Sequence, residues 1–260
     1  MPWAPEIMTL NRFSGYKIRP IELAWYSPDI KLQDYTSSGL FNEALRRLTK
    51  THSVSHQAPQ ANLSSPSLIR RQRNLGRVVR RIEYLQREGV KLHVVDLAVK
   101  ERQPISQILH GNSGYDSVQV FESGMASALD LKRRVDAMDG TAKIGFKNLS
   151  SAIPAWHDPN DFKDLVGGNY GLVVSIPYLV ENGLAPMPTI DSCIDHVFEV
   201  HVSTITGTNG VRNSLEARLD NTAALIDHLN DQGFGGRLIV KALPPQISPV
   251  LDYLRMGNFI

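Results

Sequence analysis

A single cysteine, Cys193, in 260 residues leaves no room for an internal disulfide framework and suits a reducing compartment. No apolar run approaches the roughly 20 residues that a membrane-crossing helix needs, and the opening Met1-Pro2-Trp3-Ala4-Pro5 lacks the charged-then-apolar pattern of a secretion signal. The expectation is a cytoplasmic protein with no membrane segment. Charge of either sign is scarce in excess: a net +2 does not by itself advertise a nucleic-acid partner. There is no G-x-G-x-x-G, G-x-x-x-x-G-K-S/T or C-x-x-C pattern, so nucleotide loops and zinc ribbons have no support. Also missing are internal repeats, low-complexity tracts and linkers, which leaves one domain, 1–260, as the expected organisation. With 42% hydrophobic residues, the chain can bury one sizeable core.

What is present is a rhythm of short β-branched runs separated by amphipathic or Gly/Pro-bounded segments, the pattern of parallel strands with helical crossovers. The spacing predicts strands at Ile21 to Trp25, Thr51 to His56, Lys91 to Leu97, Ser117 to Glu122, Ala142 to Lys147, Gly171 to Ile176, Val197 to Val202 and Arg237 to Ala242. It predicts helices at Leu40 to Lys50, Pro66 to Glu88, Ala126 to Met138, Val211 to Gln232 and Ser248 to Met256, and loops at Ser150 to Pro159 and Val180 to Pro188. Ser64-Ser65-Pro66 and Gly89 punctuate the second helix, and Gly233 ends the fourth. The expected fold class is α/β, a (β/α)8 barrel whose site sits in the loops after the strands. Arg70, Arg71, Arg73, Arg77, Arg80 and Arg81 could neutralise phosphates. Leu68, Ile69, Val78, Val79, Ile82 and Leu85 instead mark an apolar stripe, which makes the arginines a solvated face.

Several strand ends carry a resemblance. Ser55-His56-Gln57-Ala58-Pro59, Asn62-Leu63-Ser64-Ser65-Pro66 and Gly89 to Asp96 resemble the His-Ala-Pro strand end, the Asn/Ser loop and the following strand of the xylose-isomerase-like TIM barrels, a superfamily of sugar-phosphate isomerases, epimerases and endonuclease IV-like nucleases. Phe146-Lys147-Asn148 resembles its Glu-Asn strand end with lysine for glutamate. Val174-Ser175-Ile176-Pro177-Tyr178 resembles its Asp-x-x-His end with both ligands changed. Glu199-Val200-His201 resembles the His-bearing strand, and Ile239-Val240-Lys241 the last strand, again with lysine for glutamate. In that family the His-Ala-Pro strand is third. This places Ile21 to Trp25 second, a reduced first strand near Met8 to Phe13, and Ser117 to Glu122 as an inserted strand.

The resemblance implies a mouth formed by His56, Asp96, Lys147, Ser175, Tyr178, His201 and Lys241, in which two ammonium groups would repel a dication. The expectation is therefore no metal and no cofactor, although His56, Asp96 and His201 alone could still supply three zinc ligands. Lys147, Lys241, His201, His56 and Asp96 are the candidate catalytic residues; Asn148, Ser175, Tyr178 and Glu199 are the candidates for substrate binding. In the structural reading the lysines only neutralise Asp96 or Glu199. In the catalytic reading one lysine stabilises an enolate or carbinolamine while a histidine moves the proton. The resulting expectation is a metal-independent isomerase, epimerase or lyase acting on a small polar carbonyl or sugar-derived substrate. The alternatives are a pseudoenzyme barrel that binds a protein partner, or an abasic-site endonuclease-like DNA-binding protein. Nucleic acid and membrane are not expected partners, and homo-oligomerisation stays open.

Overall fold

The structure, a computed structural model, describes residues 3–8, 29–33, 45–46, 49–50, 53–59, 61–99, 116–138, 141–203 and 215–241. Eight parallel strands close into a barrel in sequence order: β1 Trp3–Met8, β2 Asp29–Gln33, β3 Ser53–Gln57, β4 Leu92–Val95, β5 Lys143–Lys147, β6 Tyr170–Ser175, β7 Val197–Ser203 and β8 Arg237–Lys241. Pairing of β1 with β8, Ala4 opposite Ile239, completes the ring, so no strand edge is left to template aggregation. The described helices are α1 Leu68–Arg87, α2 Ser117–Asp136, α3 Ile176–Glu181, α4 Pro186–Asp191 and α5 Leu215–Asp231. None of the described helices is long and apolar enough to cross a membrane.

Strand alternation divides each strand between two cores. The register pairs Gln57 with Val94, Val94 with Gly145, and Ser175 with His201, which places these residues on the barrel-lumen side. Their neighbours Val54, Val95, Ile144, Phe146, Leu172, Val174 and Val200 are buried on the other side, against the helices. α1 meets that layer with Leu75, Val78, Ile82 and Leu85, spaced three and four apart. Leu68 and Ile69, included in the expected stripe, are exposed at 61% and 76% because they lie a turn before the helix reaches the sheet. The Ser67 hydroxyl caps α1 by accepting from the Arg70 amide, and Gly89 at φ 93° stops it. Arg70, Arg73, Arg77 and Arg80 are exposed, as on a solvated face. Beyond β5, Trp156 is fully buried and stacks on Phe121 at 4.3 Å and on Phe162 at 5.0 Å; burying such a ring contributes about 3 kcal/mol.

Four sequence expectations change. The segment Ser117 to Glu122 is the start of α2, not a strand. The Asp116 carboxylate accepts from the Val118 amide as an N-cap, and burial of Val120, Ser123, Gly124, Ser127, Ala128, Leu131 and Val135 follows a helical period. The first and second strands are Trp3–Met8 and Asp29–Gln33, so Ser53 to His56 of the expected Thr51 to His56 run does belong to the third strand, while Thr51 and His52 lie outside the described residues. Ile21 to Trp25, the rest of Met8 to Phe13, and Ser248 to Met256 lie outside the described residues, as does most of Leu40 to Lys50. Finally, Val180 to Pro188 is not a plain loop: it contains the end of α3 and the start of α4, with Pro186 in the first turn.

Two helix glycines should respond with opposite sign. A Cβ on Gly124 would stand 2.4 Å from Ser64 Oγ and 2.8 Å from Trp156 Nε1, whereas one on Gly76 meets nothing within 4 Å. In urea unfolding, Gly76→Ala should stabilise by about 0.5–1 kcal/mol and Gly124→Ala should destabilise by about 1–3 kcal/mol. Equal effects at both positions would contradict the packing described.

Candidate active site

The C-terminal strand ends converge on an ion pair. Lys147, the last residue of β5, places Nζ 3.0 Å from Asp96 Oδ1 just beyond β4, with 7% and 12% of the two side chains exposed. Gln57, which closes β3, donates from Nε2 to Asp96 Oδ2 at 3.2 Å and accepts from Lys147 Nζ at Oε1, 3.4 Å away. A cation and an anion this far out of water persist only because each is paired and further hydrogen-bonded. The Tyr178 ring, carried by α3, lies with its centroid 5.8 Å from Lys147 Nζ, within cation–π range. Asn148 has a different job. Its Oδ1 accepts from the Ser175 amide at 2.6 Å and its Nδ2 donates to the Ser175 carbonyl at 3.3 Å, which clamps the ends of β5 and β6. The amide expected to bind substrate is thus occupied by backbone, and Ser175 is held by that clamp.

A second polar column runs down the lumen from β7. His201 Nε2 is 3.0 Å from Glu199 Oε2, and both side chains are fully buried. Below them Arg237 Nη1 lies 4.0 Å from Glu199 Oε1, and Arg237 Nη2 donates to the Ser53 hydroxyl on β3. Glu199 and His201 are two residues apart on one strand, so alternation turns both to the same side. A carboxylate at one ring nitrogen fixes the tautomer and supports an imidazolium. One carboxylate oxygen of Glu199, expected among the substrate-binding residues, is thus engaged by His201. Lys241 closes β8 opposite Ser203; its side chain lies outside the described residues.

His56 does not join this mouth. It pairs in register with His93, and the two rings meet edge to face at 5.8 Å, fully buried on the helix-facing side of β3 and β4. Alternation gives the lumen position to Gln57, one residue later. Gln57 sits inside the His-Ala-Pro motif but was not among the expected site residues; its period-two relation to Ser53 and Ser55 was the available signal. Arg237, also missed, was legible as a charge opening an otherwise apolar strand. Burial lowers the His93 pKa to about 4, opposed in part by a hydrogen bond with the Val90 backbone. Among the described residues no three His, Cys, Asp or Glu side chains converge as a metal site would require. That includes the His56, Asp96 and His201 trio.

The barrel superposes along nearly its whole length on solved sugar epimerases. A D-tagatose 3-epimerase-like protein matches with TM-score 0.70 and 13% identity over 99% of this chain and 98% of its own. The D-psicose 3-epimerase of Clostridium cellulolyticum H10 matches with TM-score 0.71 and 11% identity over 100% and 99%. This chain has the xylose-isomerase-like barrel fold. A 3-keto-D-glucoside 4-epimerase from E. coli matches that fold too, with TM-score 0.68 and 12% identity over 99% and 100% of the two chains. No family model and no curated protein matches the sequence. At such identities the likeness is one of fold, and the xylose-isomerase-like architecture hosts the site described above without dictating its chemistry.

Two measurements follow from this geometry. Lys147→Met strands the Asp96 carboxylate with Gln57 as its remaining donor, and should destabilise by about 2–4 kcal/mol in urea. The double variant Lys147→Met/Asp96→Leu should recover most of that loss. Additive losses would mean the pair is not coupled. His93 has a folded pKa near 4 against an ordinary 6.5, so the unfolded chain binds the proton more tightly. Its stability contribution is complete above pH 6.5 and is lost as pH falls toward 4, by about 3 kcal/mol in total. His93→Leu should flatten the fall in unfolding free energy between pH 6.5 and 5; an unchanged slope would assign it to other groups.

Proposed function

We propose that this protein is a metal-independent isomerase or epimerase-type barrel, with a lyase as the related outcome, acting on a small polar carbonyl or sugar-derived substrate by proton transfer. The observation that carries the reading is the Lys147–Asp96 ion pair at the β5 end, on the same lumen face as a histidine held by a carboxylate. Oxygen-rich dication sites need converging carboxylates. Here one carboxylate, Asp96, is taken by an ammonium and the other, Glu199, by His201, and the residues present do not fit a metal.

The chemistry uses the two clusters together. His201 accepts a proton from the carbon next to the substrate carbonyl, and the Glu199 carboxylate stabilises the imidazolium. Charge then builds on the carbonyl oxygen as the enolate forms. The Lys147 ammonium, held in place by Asp96 and Gln57, stabilises that oxyanion in a low-dielectric mouth. Reprotonation of the enolate carbon on its opposite face by a proton drawn from solvent gives the epimer; transfer of the hydroxyl proton to the former carbonyl oxygen, with reprotonation at the neighbouring carbon, gives the isomer. Tyr178 offers an apolar wall and a hydroxyl to a sugar ring or chain. The epimerases matched in fold are supporting context for a sugar-derived carbonyl. The competing reading, a binding barrel without turnover, draws on the same ion pair, since only 7% of the Lys147 side chain is exposed.

Proton abstraction in water leaves a label. Incubated in D2O with a panel of ketohexoses and ketopentoses, the protein should place deuterium at a carbon beside the carbonyl, read by NMR. Lys147→Arg should retain part of that exchange, while Lys147→Ala and His201→Gln should each lower it at least about a hundredfold. Exchange unaffected by both substitutions would remove these residues from the chemistry, and no exchange with any carbonyl would favour the binding barrel.

A further inference from the structure

The opposite end of the barrel holds a cavity of about 560 Å³ among the first residues of β3, β4, β5, β7 and β8. Its lining includes Lys91, Lys143 and Arg237, with Asp195 the single carboxylate among the described lining residues. Arg237 already faces Glu199 and donates to Ser53. Lys91 and Lys143 differ. Neither side chain has an ion-pair or hydrogen-bond partner among the described residues; the Lys143 ammonium rests 5.3 Å over the Phe198 ring. Their strands are held side by side, with the Lys143 amide donating to the Lys91 carbonyl at 2.7 Å.

Lys91 and Lys143 are both exposed residues of this one cavity and bring it positive charge with no counter-ion among the described residues. The end of α5 reaches the same cavity through Gln232 and Gly233, but a helix C-terminus supplies only about half a negative charge. Gly235, also on the lining, has nothing within 4 Å of where a Cβ would stand, which leaves its backbone open to close approach. We propose that this cavity on the N-terminal face is a binding site for a phosphate monoester, with Lys91 and Lys143 neutralising the dianion and Phe198 supporting the attached organic part. Lysine is a point-charge partner for phosphate, and a phosphate monoester carries close to two negative charges at neutral pH, matching the two free ammonium groups. Asp195 at the rim accepts hydroxyls of a polyol and repels a bulkier polyanion. The site is separate from the mouth at the C-terminal strand ends and does not depend on what reaction occurs there.

Inorganic phosphate is the probe. Titrated calorimetrically at constant ionic strength, it should saturate at one equivalent, and a near-hundredfold excess over Kd should raise Tm by about 5 °C. Lys91→Gln and Lys143→Gln, both at exposed positions that leave the core untouched, should each weaken binding about tenfold. An absence of saturation up to tens of millimolar would overturn the assignment. So would saturable binding that both variants retain at wild-type strength, since the phosphate would then sit elsewhere.

Discussion

Strand alternation inside a closed barrel is the constraint on which the polar architecture of this protein depends. Eight strands in fixed register leave each side chain only two destinations, the lumen or the layer beneath the helices. Gln57, Asp96, Lys147, Glu199 and His201 can interact because they share the lumen. His56 and His93, one position out of phase, meet each other instead. A one-residue slip in β3 would exchange Gln57 for His56 at the mouth and send a polar amide into the apolar layer formed by Val54, Val95 and Ile144. The site is thus a consequence of packing on the far side of the sheet.

Within the lumen, the charges balance locally. The Lys147 ammonium meets the Asp96 carboxylate at the mouth, and Glu199 lies between His201 above and Arg237 below. Isolated ions at these depths would each cost several kcal/mol, so each pair requires its partner to be present for the barrel to be stable. This is the physical sense in which a lysine at a strand end changes what the scaffold can do. It brings its positive charge on a covalent stem, fixed by Asp96 and Gln57. At the mouth that charge is already present without an ion, and the Glu199–His201 pair lies enclosed further down the lumen.

The sequence disclosed the central and C-terminal strands well because their apolar runs are continuous, as expected where both faces are buried. Ile144 to Lys147 and Leu172 to Ser175 needed no tertiary information. The second strand was obscure because Asp29-Ile-Lys-Leu-Gln carries only two apolar residues, and the start of α2 was misread because Val118, Val120 and Phe121 mimic strand alternation over a short window. The Asp116 cap was the overlooked signal. At the site, Lys147, Asp96 and His201 were visible as chemistry-bearing strand ends. The inward choice between His56 and Gln57, and the commitment of Asn148 to the Ser175 backbone, depend on cross-strand register, which a single sequence does not encode locally.

The central claim is that Lys147, paired with Asp96, holds the place in the mouth that a dication would otherwise need. Elemental analysis of protein purified without chelator, with thermal unfolding in the presence and absence of Mn²⁺ and Zn²⁺, tests it most directly, because an ion bound only by the native state raises its stability. Substoichiometric metal and no shift in Tm are expected. One equivalent of tightly held metal, or a stabilisation that saturates with added ion, would contradict it.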